Sequence, residues 1–469
     1  MKWLILGPEI YFLAVAILFL ILSTMRPNRR RNFSAILLLG SIGIVVTLAT
    51  VRLEGTLFHG AYRVDLFSQI FKGLISVGFF LVVCLCSDLN GIEAVRHSEV
   101  YLFLLTCTLG MMLLVSSVEL LTLYVALELS SYSLYALVPL RTGSQPMEAA
   151  IKYFLSGVAT SALMLFGLAS LFAATQTTYV AELALKLPGL LHTPMAFIGL
   201  LLTLSGFFFK LALFPFHIWA PGVYQGAANQ VTAFVATATK VTAMAMLVRL
   251  VSVSRGDTTM AHALIALAIV SMTYGNLVAL IQKDFKRLLA YSAIAHAGYT
   301  LIGILSMSPN GYAAAVFYAG AYLAMTFTCF LVVVKVASNG RNVAIVQLAG
   351  LHRRSPLLAM ALLVGVFSLG GIPPTMGFTG KFLIFNGAME RGYFLLVLIA
   401  MINVVVSLYY YVQVVKAAFL QEPEEDLPPI HLSVPATFLT VMMVVVIIVG
   451  GIFPRYLFQL AQAAIQSLP

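Results

Sequence analysis

Apolar runs of roughly 20 residues, the length that crosses a bilayer as a helix, recur along the whole chain. Short polar turns such as Asp88-Leu89-Asn90-Gly91 separate them. The pattern predicts an all-α polytopic membrane protein with about 14 transmembrane helices. We expect the helices at residues 4–25, 33–51, 65–86, 98–117, 119–140, 149–174, 195–216, 228–252, 259–281, 288–306, 311–336, 356–389, 392–420 and 431–453.

The composition excludes a soluble enzyme. Of the 469 residues, 61% are hydrophobic and 9% are charged, whereas soluble domains carry about a quarter charged residues. The net charge of +10 comes from Lys and Arg in short loops, where they set membrane topology, so we expect no nucleic-acid partner. The four cysteines lie inside apolar runs without metal-ligand spacing, and we expect no metal site.

The basic residues also predict an orientation. One alternating set of loops, including Arg26, Arg29 and Lys335, holds more Lys and Arg than the other set, which includes Arg63 and Arg255. The richer set faces the cytoplasm under the positive-inside rule. The pattern therefore predicts a multi-pass protein of a bacterial inner membrane with both termini in the periplasm.

Four ionisable residues lie well inside predicted helices: Glu128, Lys210, Lys240 and Lys381. A charge at the bilayer centre costs roughly 2.5–3.5 kcal/mol, so such residues usually face a bundle interior or a water path. Desolvation helps a lysine release its proton and a nearby carboxylate opposes release, whereas arginine keeps its proton. The set favours a proton relay, and the alternative is a buried ion pair that only fixes helix packing.

Other ionisable residues are more ambiguous. His296 lies within a predicted helix and suits either a relay or a structural hydrogen bond, whereas for His217, after a helix break, we favour the structural interpretation. We expect Lys72 to extend to the outer membrane interface. Glu9 and Glu119 lie near predicted helix ends, where Glu119 suits the positive end of the helix dipole.

An internal match indicates a repeat. Residues 206–214 and 377–385 both read G-F-x-x-K-x-x-x-F, and prolines near each match predict interrupted seventh and twelfth helices. The two helices should run in opposite directions, which predicts two inverted five-helix repeats around an ion pathway. His296 would then hold in the second repeat the place of Glu128 in the first.

The repeats divide the chain into four parts. The expected divisions are helices 1–3 at 1–97, a first repeat of helices 4–8 at 98–252, a second repeat of helices 9–13 at 253–420, and helix 14 at 421–469.

Several segments resemble subunit N, an antiporter-like subunit family of bacterial proton-translocating NADH–quinone oxidoreductase, respiratory complex I. The segments are residues 123–129 (LYVALEL), 149–157 (AAIKYFLSG), 210–221 (KLALFPFHIWAP), 282–292 (QKDFKRLLAYS) and 370–381 (GGIPPTMGFTGK). Together they are specific to the antiporter-like subunits of this enzyme and its relatives.

The resemblance implies a proton-translocating subunit and a role for each matched residue. Glu128 matches a glutamate that modulates a lysine, and Lys210 matches the lysine of the broken seventh helix. Lys240 matches a lysine that passes protons to the centre, and Lys381 matches the lysine of the exit half-channel. His296 matches a histidine common in subunit N.

The resemblance also implies where the redox chemistry lies. The chain itself would bind no cofactor, while FMN, iron–sulfur clusters, NADH and quinone would belong to other subunits. Its partners would be other membrane-arm subunits, including neighbouring antiporter-like subunits, and the lipid bilayer. One segment departs from the family: Gly222 and Gln225 stand where acids are usual, and Ala228 and Gln230 stand near usual prolines.

Three alternatives remain at this point. A subunit of a multi-subunit cation/proton antiporter would use the same buried residues to exchange Na⁺ or K⁺ for protons. A membrane-bound hydrogenase subunit would be a variant of the redox-coupled pump. A structural scaffold is disfavoured because it has no need of ionisable residues inside the membrane.

Overall fold

The computed structural model describes residues 2–25, 28–143, 145–254, 256–337, 339–423 and 428–468. Arg26 and Arg255, both used above to predict orientation, lie outside these ranges. The α-helices of the described residues are α1 Gly7–Thr24, α2 Arg29–Ala49, α3 Leu66–Leu85, α4 His97–Ser116, α5 Leu120–Leu137, α6 Gln145–Thr175, α7 Val180–Lys186, α8 Pro194–Leu211, α9 Trp219–Gly226, α10 Asn229–Ala236, α11 Ala238–Val251, α12 Thr258–Ala279, α13 Phe285–Leu305, α14 Pro309–Val336, α15 Leu351–Arg354, α16 Pro356–Gly370, α17 Met376–Met389, α18 Phe394–Leu420, α19 Val434–Ile452 and α20 Arg455–Gln466.

Two short strands form a hairpin at one membrane surface. Strands β1 (Gly55–Leu57) and β2 (Tyr62–Val64) pair antiparallel, with Thr56 opposite Arg63. The 3-10 turns of the described residues are Lys2–Leu6, Phe58–Gly60, Ala94–Arg96, Val138–Leu140, Leu187–Gly189, Ser252–Ser254 and Ile345–Leu348.

The predicted all-α polytopic membrane fold is confirmed. Within the described ranges, 13 helical segments are long and apolar enough to cross a membrane. The remaining predicted crossing is the twelfth helix. It is divided into α16 and α17, each of which is too short to span a membrane alone. The predicted eighth helix is also interrupted, since Thr237 departs from helical geometry between α10 and α11.

Polar side chains at the membrane surfaces start many of these helices. The Asp65 carboxylate accepts a hydrogen bond from the Ser68 amide at 2.8 Å before α3, and Asp284 accepts one from the Arg287 amide at 2.9 Å before α13. Glu119 accepts from the Thr122 amide at 2.8 Å before α5, so its interpretation as a helix-start residue is confirmed. Such caps satisfy amides that have no partner inside the helix.

Burial separates central helices from peripheral ones. Phe285–Leu305 and Asn229–Ser254 are buried throughout their most apolar windows, whereas α1, α2, α18 and α19 present exposed apolar side chains. A helix that is apolar all round suits lipid on one side and protein on the other. Polar groups on α11 and α13 are therefore held inside protein, away from lipid.

Four helices, α7, α9, α15 and α20, lie outside the predicted ranges, and α20 is the longest of them. Helix α20 follows α19 as an amphipathic helix that packs against α3 and α14. Its end is anchored to the hairpin, because Arg63 Nη2 donates to the Ser467 carbonyl at 3.1 Å. Twelve residues are too few to cross a bilayer, so a search for long apolar runs misses this helix.

Arg141 joins three loops at the opposite surface, which is the predicted cytoplasmic one. Its guanidinium donates to the Gln225 carbonyl at 2.9 Å, to the Gly340 carbonyl at 3.0 Å and to Asn342 Oδ1 at 2.9 Å. Arginine suits this role because its five donors can serve several acceptors at once. The first half of the bundle is thereby tied to the second half at this surface.

Candidate functional site

The break in the seventh helix lies directly beyond Lys210. Helix α8 ends at Leu211, and Ala212 takes a left-handed conformation with φ 60°. The Leu213 amide donates back to the Phe208 carbonyl at 2.9 Å, which closes the helix end. A cis peptide bond to Pro215 follows, and the chain becomes helical again at α9.

The break in the twelfth helix has the same backbone pattern. Helix α16 ends at Gly370, and Gly371 is left-handed with φ 83°. The Ile372 amide donates to the Phe367 carbonyl at 2.9 Å, and a cis peptide bond to Pro374 follows. In both breaks the cis proline comes three residues after the left-handed residue, so the two helix ends are equivalent in local geometry.

A lysine ammonium caps each broken end. Lys240 Nζ donates to the Leu211 carbonyl at 2.7 Å. Lys381 Nζ donates to the Leu369 and Gly370 carbonyls at 2.8 and 3.2 Å. The last carbonyls of a helix lack partners within the helix and carry partial negative charge, so they stabilise a cation.

The nine-residue match aligns Lys210 with Lys381, but the two lysines lie differently relative to their helix breaks. Lys210 lies before the break of its helix, whereas Lys381 lies after the break of its own. In the first half it is Lys240 that donates to a carbonyl at the broken helix end, as Lys381 does in the second half. The match of Lys210 with Lys381 and the inverted repeat itself stay predictions.

Lys210 is buried without a partner for its ammonium. Its side chain is 4% exposed, and no described group accepts a hydrogen bond from Nζ. Beside it is a cavity of about 10 Å³, lined among others by Ser130, Thr239 and Thr242. A space of this size, with Lys210 and hydroxyl side chains in its otherwise apolar wall, suits one water molecule. Thr239 and Thr242 place the cavity against α11, the helix that also carries Lys240.

Glu128 lies towards the edge of the bundle. Its Oε1 accepts from Ser161 Oγ at 2.5 Å, which links α5 to α6. Val125 and Tyr132 on the same helix are mostly exposed. None of the ion pairs within 4 Å in the described ranges includes Glu128. Its predicted influence on Lys210 would therefore act through space rather than through direct pairing.

His296 lies at the centre of a group of hydroxyls. Its Nδ1 is 2.5 Å from the Tyr318 hydroxyl, and its Nε2 is 3.2 Å from the Tyr411 hydroxyl. The Tyr411 hydroxyl is also 2.5 Å from Ser292 Oγ. A neutral imidazole donates from one nitrogen and accepts at the other, so a proton can enter at one nitrogen and leave from the other.

Tyr299 connects this group with Lys381. Its ring centroid is 5.8 Å from that of His296 and 4.8 Å from Lys381 Nζ. The Tyr299 hydroxyl accepts from Asn276 Nδ2 at 3.0 Å, and Asn276 Oδ1 accepts from the Tyr410 hydroxyl at 2.9 Å. The structure thus brings His296 and Lys381 into one buried polar cluster.

Lys286 is a buried lysine that lies before the predicted helix 288–306. It lies in the first turn of α13 with 0% exposure, and its Nζ donates to the Ala227 carbonyl at 2.9 Å. Arg287 beside it donates to Gln225 Oε1 at 3.1 Å. Asp284, a good helix-capping residue two positions earlier, was the signal that α13 begins before Lys286.

His217 takes no part in either lysine cluster. Its ring is 5.3 Å from the Phe214 ring and 4.5 Å from the Tyr274 ring, between centroids. These contacts support its interpretation as a packing residue near the seventh-helix break.

A second charged cluster lies near the membrane surface that carries the hairpin. Lys72 Nζ is 2.6 Å from Glu9 Oε1, which also accepts from the Tyr62 hydroxyl at 2.8 Å. Arg249 Nη2 is 2.9 Å from Asp65 Oδ1. Lys72 and Arg249 are each fully buried, so the expectation that Lys72 extends to the membrane interface was wrong. The nearby carboxylates hold its ammonium inside the protein, and we call this set the paired cluster.

Similarity to known proteins assigns the chain to a family. The sequence profile described as "NADH:quinone oxidoreductase/Mrp antiporter, TM" matches residues 117–407. The chain is 54% identical over 471 residues to the NADH-quinone oxidoreductase subunit N 2 of Syntrophobacter fumaroxidans, with 100% of both chains covered. The chain belongs to the subunit N family. Every site residue predicted from sequence lies within the aligned length.

Solved structures resemble this subunit N chain over almost its whole length. A chain of respiratory complex I from Thermus thermophilus, with bound aureothin, aligns at a TM-score of 0.85 and 34% identity over 97% of this chain and 99% of that one. A chain of the Mrp complex from Dietzia sp. aligns at a TM-score of 0.88 and 19% identity, with 99% and 97% covered. The second similarity establishes the fold alone.

Proposed function

We propose that this chain is an antiporter-like membrane-arm subunit of a proton-translocating NADH–quinone oxidoreductase. Protons would cross through Glu128, Lys210, Lys240, His296 and Lys381. The observation that carries this proposal is the burial of three lysines inside helices with no carboxylate within 4 Å in the described ranges. The full-length identity to a subunit N relative supports the choice of complex.

The contacts of Lys240 and Lys381 suit reversible protonation. Each ammonium is stabilised by carbonyls at a broken helix end rather than by a full negative charge. Interaction of a cation with a helix C-terminus contributes about 0.3–1 kcal/mol at an exposed site and up to roughly 2 kcal/mol when partly buried. Such contacts hold the protonated form in place but leave it able to release the proton when a nearby charge changes.

The two halves of the site would act in series. Lys210 borders the water-sized cavity of the first half, and Lys240 Nζ donates to the carbonyl of the next residue, Leu211. His296 and Lys381 share the tyrosine cluster of the second half, so hydroxyls and water can bridge the gaps between nitrogens. Arginine at these positions would not serve, because it keeps its proton.

Energy for transport would come from other subunits. We expect FMN, iron–sulfur clusters, NADH and quinone to bind elsewhere in the complex, and neighbouring antiporter-like subunits to contact this chain in the bilayer. Changes at those subunits would reach the relay through charge and conformation. The bias of basic residues supports an inner-membrane orientation with both termini in the periplasm.

Lys210→Ala tests the relay directly. In membrane vesicles we expect the complex to assemble, while NADH-driven proton transport falls roughly tenfold, a loss of about 1.4 kcal/mol in transition-state stabilisation. Removing a buried ammonium with no partner should not disturb packing as much as breaking an ion pair. Proton uptake is followed with a pH-sensitive dye, and assembly is followed on a native gel.

Lys416→Ala is the matched control, because Lys416 lies near the end of α18 with an exposed side chain. It should leave transport unchanged. Normal transport by an assembled Lys210→Ala complex would remove Lys210 from the relay. Loss of assembly in Lys210→Ala would assign Lys210 a packing role.

A multi-subunit cation/proton antiporter is the second candidate, because the matching profile covers both protein groups and the fold similarity includes an Mrp complex. Proton exchange that requires Na⁺ or K⁺ and proceeds without NADH would favour it. Transport that requires NADH oxidation and is indifferent to Na⁺ would favour the oxidoreductase subunit.

A further inference from the structure

An apolar crevice separates the N-terminal helices from the C-terminal helix α19. It has a volume of about 740 Å³ and is lined by α2, α3, α14 and α19. Phe33, Leu37, Phe438 and Leu439 form much of its wall. Helix α2 packs against α1 and α3, whereas α19 packs against α14, α16 and α17. The crevice is the space left between these two groups of helices.

One end of the crevice opens into a polar cavity. This cavity of about 270 Å³ shares Leu85, Ser87, Lys335 and Ser433 with the crevice, and His431 also lines it. It lies at the predicted cytoplasmic surface, where α14 ends and α2 begins. The combined space is therefore apolar along its length and polar at its mouth.

The mouth carries positive charge that is not neutralised by the described groups around it. Lys335 lies in the last turn of α14, and no ion pair of the described ranges includes it. Asp88, the acid that lines this cavity, is paired with Arg29 instead. Arg30 and Arg31 lie in the same first turn of α2, outside the lining of the cavity. This arrangement is complementary to an anionic group.

The depth of the crevice matches one leaflet of a bilayer. On α19 its lining extends from Ser433 to Met442, which at 1.5 Å per residue is roughly 14 Å. The hydrocarbon core of a bilayer is about 30 Å thick, so one leaflet contributes about half of that. An acyl chain that enters from the predicted cytoplasmic surface would therefore occupy the crevice along its length.

We propose that the crevice binds one phospholipid with an anionic headgroup. Its acyl chains lie between α2 and α19, and its phosphate contacts Lys335 Nζ and the hydroxyls of Ser87 and Ser433. The site would join the N-terminal helices to α19, two parts of the chain that are far apart in sequence. This inference is independent of the proton relay.

Native mass spectrometry of the intact complex in detergent tests the site. The complex is delipidated, incubated with phosphatidylglycerol or with zwitterionic phosphatidylcholine, and activated to release this chain with any bound lipid. We expect the chain to retain phosphatidylglycerol over phosphatidylcholine. Lys335→Gln should weaken phosphatidylglycerol retention roughly tenfold, because a charge-assisted contact with the phosphate is lost.

Three further variants control this result. Lys335→Arg keeps the charge and should keep the preference for phosphatidylglycerol. Lys283→Gln removes an exposed lysine that does not line the crevice and should change nothing. Ala436→Phe adds a ring in the crevice wall and should reduce retention of both lipids.

Three outcomes would overturn the proposal. The first is equal retention of both lipids by the wild-type complex. The second is a preference that Lys335→Gln leaves intact. The third is displacement of phosphatidylglycerol by inorganic phosphate alone, which would make the mouth a phosphate site rather than a lipid site. If Lys335→Gln does not assemble, the wild-type preference and its loss at high salt still decide the question.

Discussion

The proposed relay lysines, Lys210, Lys240 and Lys381, and the paired cluster place buried charge in the same bundle in two different ways. Lys72 and Arg249 are each within ion-pair distance of a carboxylate. Among the described residues, Lys240 and Lys381 donate hydrogen bonds to carbonyls of broken helices, and the Lys210 ammonium has no hydrogen-bond partner. Both sets are equally buried, so burial alone does not distinguish them.

The difference lies in what the protein needs from each charge. A carboxylate fixes its partner as a cation, and losing either member leaves an uncompensated charge in a low-dielectric site. A carbonyl dipole stabilises the cation less, so the proton can leave at lower cost. We infer that the paired cluster fastens α3 to α1 and α11, whereas the relay lysines change charge during transport.

Breaking the paired cluster should have the largest effect. Arg249→Leu leaves the buried Asp65 carboxylate with only its longer contact to Arg63 Nε at 3.8 Å, which we expect to cost about 3–5 kcal/mol and to prevent assembly. The double variant Asp65→Asn with Arg249→Leu removes both charges and should assemble better than the single variant. Native gels and the thermal unfolding temperature of the complex measure this. A single variant as stable as wild type would refute a fastening role.

The next largest effect is expected on proton transport when a proposed relay lysine is replaced by arginine, which keeps its proton. Lys240→Arg keeps a cation beside the Leu211 carbonyl, but arginine retains its proton, so transport should fall roughly tenfold in an assembled complex. Lys72→Arg is the matched control, since it preserves the ion pair with Glu9 and should transport normally. Proton uptake in vesicles compares the two. Equal transport by the two variants would contradict the inference that Lys240 releases a proton while Lys72 stays charged.

A smaller effect is expected at the hydroxyls around His296. Tyr411→Phe removes the hydroxyl between His296 Nε2 and Ser292 Oγ, at a cost of about 1 kcal/mol for one buried hydrogen bond. We expect transport to slow by several-fold while assembly is unchanged. Tyr62→Phe removes a hydroxyl that bonds to Glu9 in the paired cluster and should lower stability without slowing transport. Slower transport in Tyr62→Phe together with lower stability in Tyr411→Phe would contradict the roles inferred for the two clusters.

The smallest effect is expected at the segment that departs from the family. Gln225→Glu would place a carboxylate at the position where Gln225 Oε1 now accepts from Arg287. A partly exposed ion pair of this kind contributes about 0–1 kcal/mol, so the unfolding temperature should rise slightly and transport should not change. A large change in transport rate would show that this connection limits proton entry near Lys286.

The sequence alone predicted the membrane fold, the positions of the buried lysines and the two helix breaks. Long apolar runs predicted the membrane fold, because crossing about 30 Å of hydrocarbon requires a fixed helix length. Charges inside those runs predicted the location of Lys210, Lys240 and Lys381 within helices, because a charge in lipid is costly unless it is buried in protein. Prolines and glycines predicted the breaks near residues 215 and 373.

Tertiary structure decided which charges are paired. Asp65 and Arg249 are distant in sequence and meet only because α3 packs against α11. Glu9 on α1 and Lys72 on α3 are likewise distant in sequence and meet only in the folded bundle. Tertiary structure also decided which ammonium meets each broken helix end, Lys240 at α8 and Lys381 at α16, because a helix C-terminus attracts whichever cation the fold brings to it. Helical spacing along one chain cannot specify such contacts, since they depend on how separate helices pack.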